Sequence, residues 1–313
     1  MFLTGTTGVV IGGPLAILIV ATFSPETVGG HGPEAVWRGM TTVAGSWIGG
    51  GANQTAMKEV FQVSDRLFSA MVAVDVLVGS VWMAFLLYGA GITNKIDSWF
   101  KADCSAIDDV RERVEHFQKE VAKIADFTDL ITIASVGFGA TALSHFLADA
   151  IAPFIADNMP FLMKFSLTSK FFWLIVCATT FGPALSFTKA KKLEGAGAGK
   201  IGRVFIYILV ATIGMKMDIT AIFSHTGVFL VGLIWISFHA LLLIMVGKII
   251  KAPFFFLAVG SQANIGGAAS APVVASAFHP SLAPVGVLLA VLGYALGTYC
   301  AYICGLLMQL AAP

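Results

Sequence analysis

The chain has 313 residues, 57% of them hydrophobic and only 12% charged, with a formal net charge of +1. A soluble domain carries about 25% charged residues, so this composition, with a mean hydropathy of +0.86, belongs to a polytopic helical membrane protein. No basic tract with interleaved aromatics offers a face for nucleic acid, which excludes that class of partner.

In chain order, runs long enough to span a bilayer cover 1–22, 66–92, 127–152, 168–187, 200–218, 226–250 and 282–310. Residues 1–22 lack a basic leader region and run into further spans, so they read as a retained helix. Two more segments, 36–60 and 252–278, are apolar but interrupted by glycine. The first reads Ser46-Trp47-Ile48-Gly49-Gly50-Gly51-Ala52-Asn53-Gln54-Thr55, and the second Ser261-Gln262-Ala263-Asn264-Ile265-Gly266-Gly267-Ala268-Ala269-Ser270. Lipid leaves an unpaired backbone group unsatisfied, so such a break at membrane depth is buried in protein or lines a wet cavity. A matching pair of breaks in corresponding halves points to the binding site of a secondary transporter.

Residues 93–126 form the one sizeable polar connection, dense in Lys, Arg, Asp and Glu. Val110, Val114, Phe117, Val121 and Ile124 recur there at helical spacing, which predicts an amphipathic helix within a solvated linker. Lys189, Lys191, Lys192, Lys200 and Arg203 concentrate positive charge in one loop, which the positive-inside rule puts in the cytoplasm. Alternation then brings Lys248, Lys251 and the C-terminus to that side. Gly195-Ala196-Gly197-Ala198-Gly199-Lys200 is no phosphate loop, because Glu194 stands where glycine is needed and Ile201 where Ser or Thr would hold magnesium. Cys300 and Cys304 lie one helical turn apart with no His or carboxylate beside them, so they read as packing residues.

The segments divide as 1–92 (first repeat, core helix 36–60 broken), 93–126 (connector), 127–199 (linking helices) and 200–313 (second repeat, core helix 252–278 broken). The helix 200–218 has no counterpart before the first repeat, so a further N-terminal portion is expected. Six spans from the first break to the second would make the repeats parallel. Inversion needs an odd shift, with one run such as 127–152 not crossing fully, and on sequence both arrangements stay open.

Gly45-Ser46-Trp47-Ile48-Gly49-Gly50-Gly51-Ala52-Asn53, Ala263-Asn264-Ile265-Gly266-Gly267 and Leu292-Gly293-Tyr294-Ala295-Leu296-Gly297-Thr298-Tyr299 resemble the DUF819 family of bacterial and plastid membrane proteins, over nearly the whole chain. The resemblance implies a branch of the cation/proton antiporter and anion transporter superfamily, with the bile-acid and glutamate sodium symporters. It implies two interrupted helices crossing at mid-bilayer, a core domain moving against a panel domain, inverted halves, and further hydrophobic sequence before Met1.

Asp75 is the sharpest single residue, a lone carboxylate in Met71-Val72-Ala73-Val74-Asp75-Val76-Leu77-Val78-Gly79, and at bilayer depth such a group is paired, protonated or bound to a cation. Asp75, Asn53, Gln54, Asn264 and Gln262 are the candidate cation or proton ligands, and Ser46, Thr55, Ser261 and Ser270 the candidate substrate contacts. Gly49, Gly50, Gly51, Gly266 and Gly267 are the candidate breaks. Against this, small residues also serve simple close packing, and Asp75 a structural hydrogen bond. His239 reads as a packing histidine, His145 with Asp149 as a helix pair or a proton relay, and Lys216 and Asp218 as interface residues.

The expectation is an all-α polytopic transporter working by alternating access and not an enzyme. It uses sodium or a proton as coupling ion, takes no other cofactor, and moves a small organic, anionic solute across a bacterial inner membrane. A homodimer is compatible. The competing readings are a channel or uniporter, and an intramembrane enzyme pairing Asp75 with Asp218.

Overall fold

In lipid a chain can satisfy its backbone only within helices or closed barrels, and this chain uses helices. The computed structural model describes residues 1–105, 107, 109–110, 112–113, 116, 120, 123–159, 161–162, 167–215 and 226–313, and every regular element among them is helical. The longer ones are α1 (Phe2–Ala21), α2 (Val36–Val60), α3 (Asp65–Gly91), α4 (Thr93–Phe100), α5 (Phe127–Asn158), α6 (Lys170–Ser186), α7 (Ala198–Gly214), α8 (Thr226–Ile249), α9 (Phe254–Ile265), α10 (Gly267–Phe278) and α11 (Ala283–Ala311). Five of these, α1, α3, α5, α8 and α11, are long and apolar enough to cross a membrane. The protein is therefore a polytopic all-α membrane protein. The chain forms two compact units, one of Met1–Glu112 with Leu209–Pro313 and one of Arg113–Ile208.

Both glycine-broken segments lie in the first unit, and both fold back on themselves. A straight helix over 36–60 would hold its ends about 36 Å apart. Instead Arg38 donates to the carbonyl of Phe61 (2.5 Å), and Trp37 meets the Phe61 ring edge-on at 5.9 Å. The reversal lies at Gly50, whose φ of 73° and ψ of −175° suit glycine alone. The arms then lie so close that a Cβ on Gly45 would stand 2.5 Å from the carbonyl oxygen of Asn53. α9 and α10 form a second hairpin, turning at Gly266 and at Gly267 with φ 56°. Its open end brings Phe278 to 6.0 Å from Phe254 and 5.3 Å from Phe255. Two interruptions were expected and are present. Each broken segment turns back at its break toward the end from which it started, rather than continuing as one straight helix.

The hairpins approach tip to tip. A Cβ on Gly267 would lie 3.6 Å from the Cα of Gly50. Each arm of the second hairpin has 12 residues, about 18 Å, enough to reach the middle of a hydrocarbon core of about 30 Å. α3 and α11 run beside both hairpins in opposite directions. Along α3, Leu67 and Met71 meet Gly39 near the open end of the first hairpin, Gly79 meets Ile265, and Gly89 meets Phe254 at the open end of the second. Along α11 the order is reversed: Gly286 touches Ala271, Gly293 and Gly297 touch Ile48 and Gly49 at the tips, and Gly305 touches Phe61. Close passage of α11 needs these glycines, since a Cβ on Gly293 would stand 3.0 Å from the Ile48 carbonyl oxygen and 3.2 Å from that of Ala263.

α1 lies antiparallel on α8. Gly8 brings its backbone within van der Waals reach of the His239 Cα, Trp235 donates to the Val9 carbonyl (2.8 Å), and Gly247 meets Met1. Small residues permit that approach where lipid supplies no driving force. The short amphipathic α4 docks on the same unit. Phe100 is buried against Gly247, Lys248 lies 4.0 Å from the Trp99 ring centroid, and Asp97 accepts from the first N–H of α9 (2.7 Å). α4 opens the connector 93–126; of the residues that predicted an amphipathic helix there, Val114, Phe117 and Val121 lie outside the described residues.

In the second unit Asp126 and Asp129 form a capping box at the start of α5, and Ser169 caps α6. Asp149 pairs with Lys170 at 2.8 Å, both well exposed. That contact ties α6 to α5 and accounts for Asp149.

Candidate functional site

The tips set the site. Ser46 and Gln54 stand on the two arms of the first hairpin, and both reach Asp75 of α3. Ser46 Oγ donates to Asp75 Oδ2 at 2.7 Å, and Gln54 Nε2 donates to the same oxygen at 3.0 Å. Asp75 is half-buried, and none of the ion pairs among the described residues includes it. Its charge, when present, is held by neutral donors alone.

At the second hairpin Gln262 and Ser270 face each other across the turn, with Gln262 Nε2 donating to Ser270 Oγ at 2.7 Å. Gln262 is 2% exposed, yet its Oε1 has no hydrogen-bond partner. The buried Trp47 indole of the first hairpin meets no partner at full hydrogen-bond geometry, but it lies beside the Asp75 carboxyl together with Ser46 and Gln54. A buried polar atom without a partner costs about 1–3 kcal/mol, so the Gln262 atom marks a place where a further group completes the bonding.

Tyr294 of α11 sits over both turns. Its ring edge lies where a Cβ on Gly50 would come within 2.9 Å, and its hydroxyl accepts from the Ala268 N–H in the first turn of α10 (3.1 Å). Ala52 and Ala269 are exposed beside the tips, and Gly51, Thr55, Gly266 and Ser270 are partly so, which leaves this face open.

The remaining predicted residues are tied into the frame. Asn53 accepts from Thr298 (2.6 Å) and donates to the carbonyls of Gly49 (3.0 Å) and Tyr294 (3.4 Å). Asn264 accepts from Thr6 (2.8 Å) and donates to Phe2 (3.0 Å) and Gly260 (2.9 Å). Each amide thus staples a hairpin to a neighbouring helix. Thr55 turns its hydroxyl back to the Gly51 carbonyl (3.2 Å). Ser261 belongs to a buried chain in which Trp82 Nε1 donates to its Oγ (2.8 Å) and its hydroxyl meets His239 Nε2 (2.7 Å). His239 Nδ1 faces the Gly5 carbonyl at 3.0 Å. A carbonyl only accepts, so Nδ1 carries hydrogen, and a neutral ring then accepts from Ser261 at Nε2. His239 is a satisfied packing histidine, as expected, and it bonds Ser261 and Gly5 rather than Asp75. Lys216 and Asp218 lie outside the described residues.

Sequence reasoning missed Tyr294, Trp82, Thr6 and Thr298 as partners of the hairpins. One signal was there for Tyr294: Gly293 and Gly297 flank it one turn apart, a spacing that lets a helix press its backbone on another.

This architecture defines an integral membrane protein built on two opposed re-entrant hairpins. The chain belongs to the family described as protein of unknown function (DUF819), whose model matches residues 1–310. It is also similar to the uncharacterized membrane protein YjcL of Bacillus subtilis (strain 168), 22% identical over 308 residues that make up 96% of this chain and 72% of the relative. No solved structure matches.

Proposed function

We propose that this protein is a secondary active transporter that moves a small organic anion by alternating access, coupled to sodium or a proton at Asp75. The observation that carries the proposal is Asp75 itself, a carboxylate between α3 and the first hairpin, held by the neutral donors Ser46 and Gln54 and by no cation among the described residues. Both bonds fall on Oδ2. An intramembrane carboxylate in that state is functional by default. Hairpins reaching mid-bilayer from both sides, with open tips, give a solute a seat that neither side owns.

The two halves form an inverted repeat in this reading. A hairpin returns to its own side, so the helices between the two that are long enough to cross are α3, α5 and α8, an odd number, and the shorter pair α6 and α7 keeps the count odd whether both cross or neither does. The antiparallel pairs α1 with α8 and α3 with α11 support the same conclusion. Within the first unit, residues 93–100 lie at the same end as Lys248, which the positive-inside rule makes cytoplasmic in this reading. Because the second hairpin does not cross, the C-terminus emerges on the opposite side from the one the sequence alone suggested. A reporter fused after Pro313 is expected to be active outside the cytoplasm, whereas a fusion in the 189–197 loop is active inside. A cytoplasmic C-terminal reporter would return the second hairpin to a crossing helix.

The function is tested with the purified chain in proteoliposomes. An imposed sodium or pH gradient should drive saturable uptake of a carboxylate from a mixed panel, with counterflow when the inside is preloaded. Flux that neither saturates nor exchanges would instead make the protein a channel.

A further inference from the structure

The two hairpins each carry one Ser and one Gln flanking the turn, in exchanged order. Taking Gly50 and Gly266 as the turns, Ser46 and Gln54 stand four residues before and after the first, and Gln262 and Ser270 four residues before and after the second. At the first hairpin the pair converges on a carboxylate that the protein supplies, Asp75 from α3. At the second the pair is left to bond with itself, and Gln262 keeps a buried polar atom without a partner. An amide oxygen only accepts, so a carboxylate is served by the turned amide, in which Gln262 accepts from the Ser270 hydroxyl and its NH2, a donor, is the buried group without a partner. α11 stands to the second hairpin as α3 stands to the first, but it contains no Asp or Glu.

We infer that Gln262 and Ser270 are the seat of a substrate carboxylate, which takes at the second hairpin the place that Asp75 takes at the first. The word substrate rests on the transporter reading; the seat itself rests on the paired geometry. Its local field favours an anion, because Ser270 lies in the first turn of α10, where unsatisfied N–H groups and the positive end of the helix dipole gather. It also limits the charge. Residues 252–313 contain no Asp, Glu, Lys or Arg, and neutral donors alone suit a monoanionic carboxylate far better than a phosphate dianion. Access is open, with Gly266 and Ser270 partly exposed and Ala269 fully so. A glycine at 266 is required for the seat, because a Cβ there would strike Ser270 Oγ and come within 2.5 Å of Gln262 Nε2.

The test uses the purified full chain, with thermal stability as readout and acetate, lactate, inorganic phosphate and chloride as probes at equal ionic strength, with and without sodium and at two pH values. Acetate or lactate should stabilise the wild type and phosphate and chloride should not. Gln262→Leu with Ser270→Ala should weaken the carboxylate response at least about tenfold, the loss of one or two charge-assisted hydrogen bonds, while the ion response that reports Asp75 persists. A carboxylate response unchanged in the double variant, or absent from a wild type that still answers to sodium or pH, overturns the seat and leaves the transporter reading standing. A carboxylate response lost in the double variant, in a protein that never answers to either ion, supports the seat and removes the coupling role of Asp75. Should the double variant not fold, Ser270→Cys gives a second readout. Acetate or lactate should slow its alkylation, measured at that residue by mass spectrometry, and equal rates with and without carboxylate would overturn the seat.

Discussion

Asp75→Asn is expected to abolish ion-driven uptake while leaving the protein folded. The substitution changes one oxygen to nitrogen, and the remaining amide oxygen can still accept from Ser46 and Gln54, which now donate at 2.7 and 3.0 Å. The hairpin therefore keeps its tie to α3, and the change in stability should stay within about 1 kcal/mol, the scale of one exchanged hydrogen bond. The capacity to bind a proton or to offer a charge to sodium is gone. Losing a charged ligand is worth about 1.5–3 kcal/mol, so coupled uptake should fall by roughly 10- to 100-fold or more. The stabilising effect of sodium, or the pH dependence of the melting temperature, should vanish with it. Asp75→Glu keeps the charge and displaces it by one methylene, so it should retain a reduced, still ion-dependent rate. Unaltered coupled uptake in Asp75→Asn would show that the carboxylate only ties α3 to the first hairpin.

How much of this was legible in the sequence varies from one element to the next. The helical runs stood out because about 20 apolar residues in a row have one solution in lipid. The breaks stood out because glycine clusters at that depth are rare. Whether a break leads onward or back was not legible. Reversal depends on contacts between residues far apart along the chain, such as Arg38 with Phe61 and Phe254 with Phe278, and no local pattern encodes them. The count of spans between the repeats, and the side on which the C-terminus emerges, both depend on how each break is read. Asp75 was legible from hydropathy alone, since a charge in such a run has no cheap structural explanation. Its partners were half legible. Gln54 and Ser46 lay in the motif, but so did Asn53 and Asn264, whose amides are occupied in stapling the hairpins to Thr298 and Thr6. Residue type marked all four as polar at depth, and only the fold separates the two that converge on Asp75 from the two that hold the frame. Tyr294 shows the converse, an aromatic in the Leu292–Tyr299 motif to which sequence assigned no role and that the fold lays across both turns.

Gly45→Ala separates a hairpin from a crossing helix most directly. In a continuous helix, replacing glycine by alanine stabilises by roughly 0.5–1 kcal/mol. At Gly45 the sign should reverse, because the added methyl would lie 2.5 Å from the Asn53 carbonyl oxygen, 2.8 Å from its carbon and 3.0 Å from the Gln54 nitrogen. All three are backbone atoms of the opposite arm, so no side chain can turn aside. Relief requires the arms to separate, at a cost of about 1–3 kcal/mol or more for such overpacking. Separation also carries Gln54 away from Asp75, so the ion response should weaken together with the melting temperature. Gly137→Ala is the control, since nothing lies within 4 Å of a Cβ there, and it should be neutral or stabilising. A second, independent reading comes from Trp37→Cys with Phe61→Cys, whose rings now meet at 5.9 Å. A short bifunctional thiol reagent should link these two positions within one chain, since a straight helix would hold them about 36 Å apart. If Gly45→Ala proves as stable as Gly137→Ala and the cysteine pair does not close, then α2 runs straight through the membrane, and the opposed tips, the topology and the carboxylate seat fall with it.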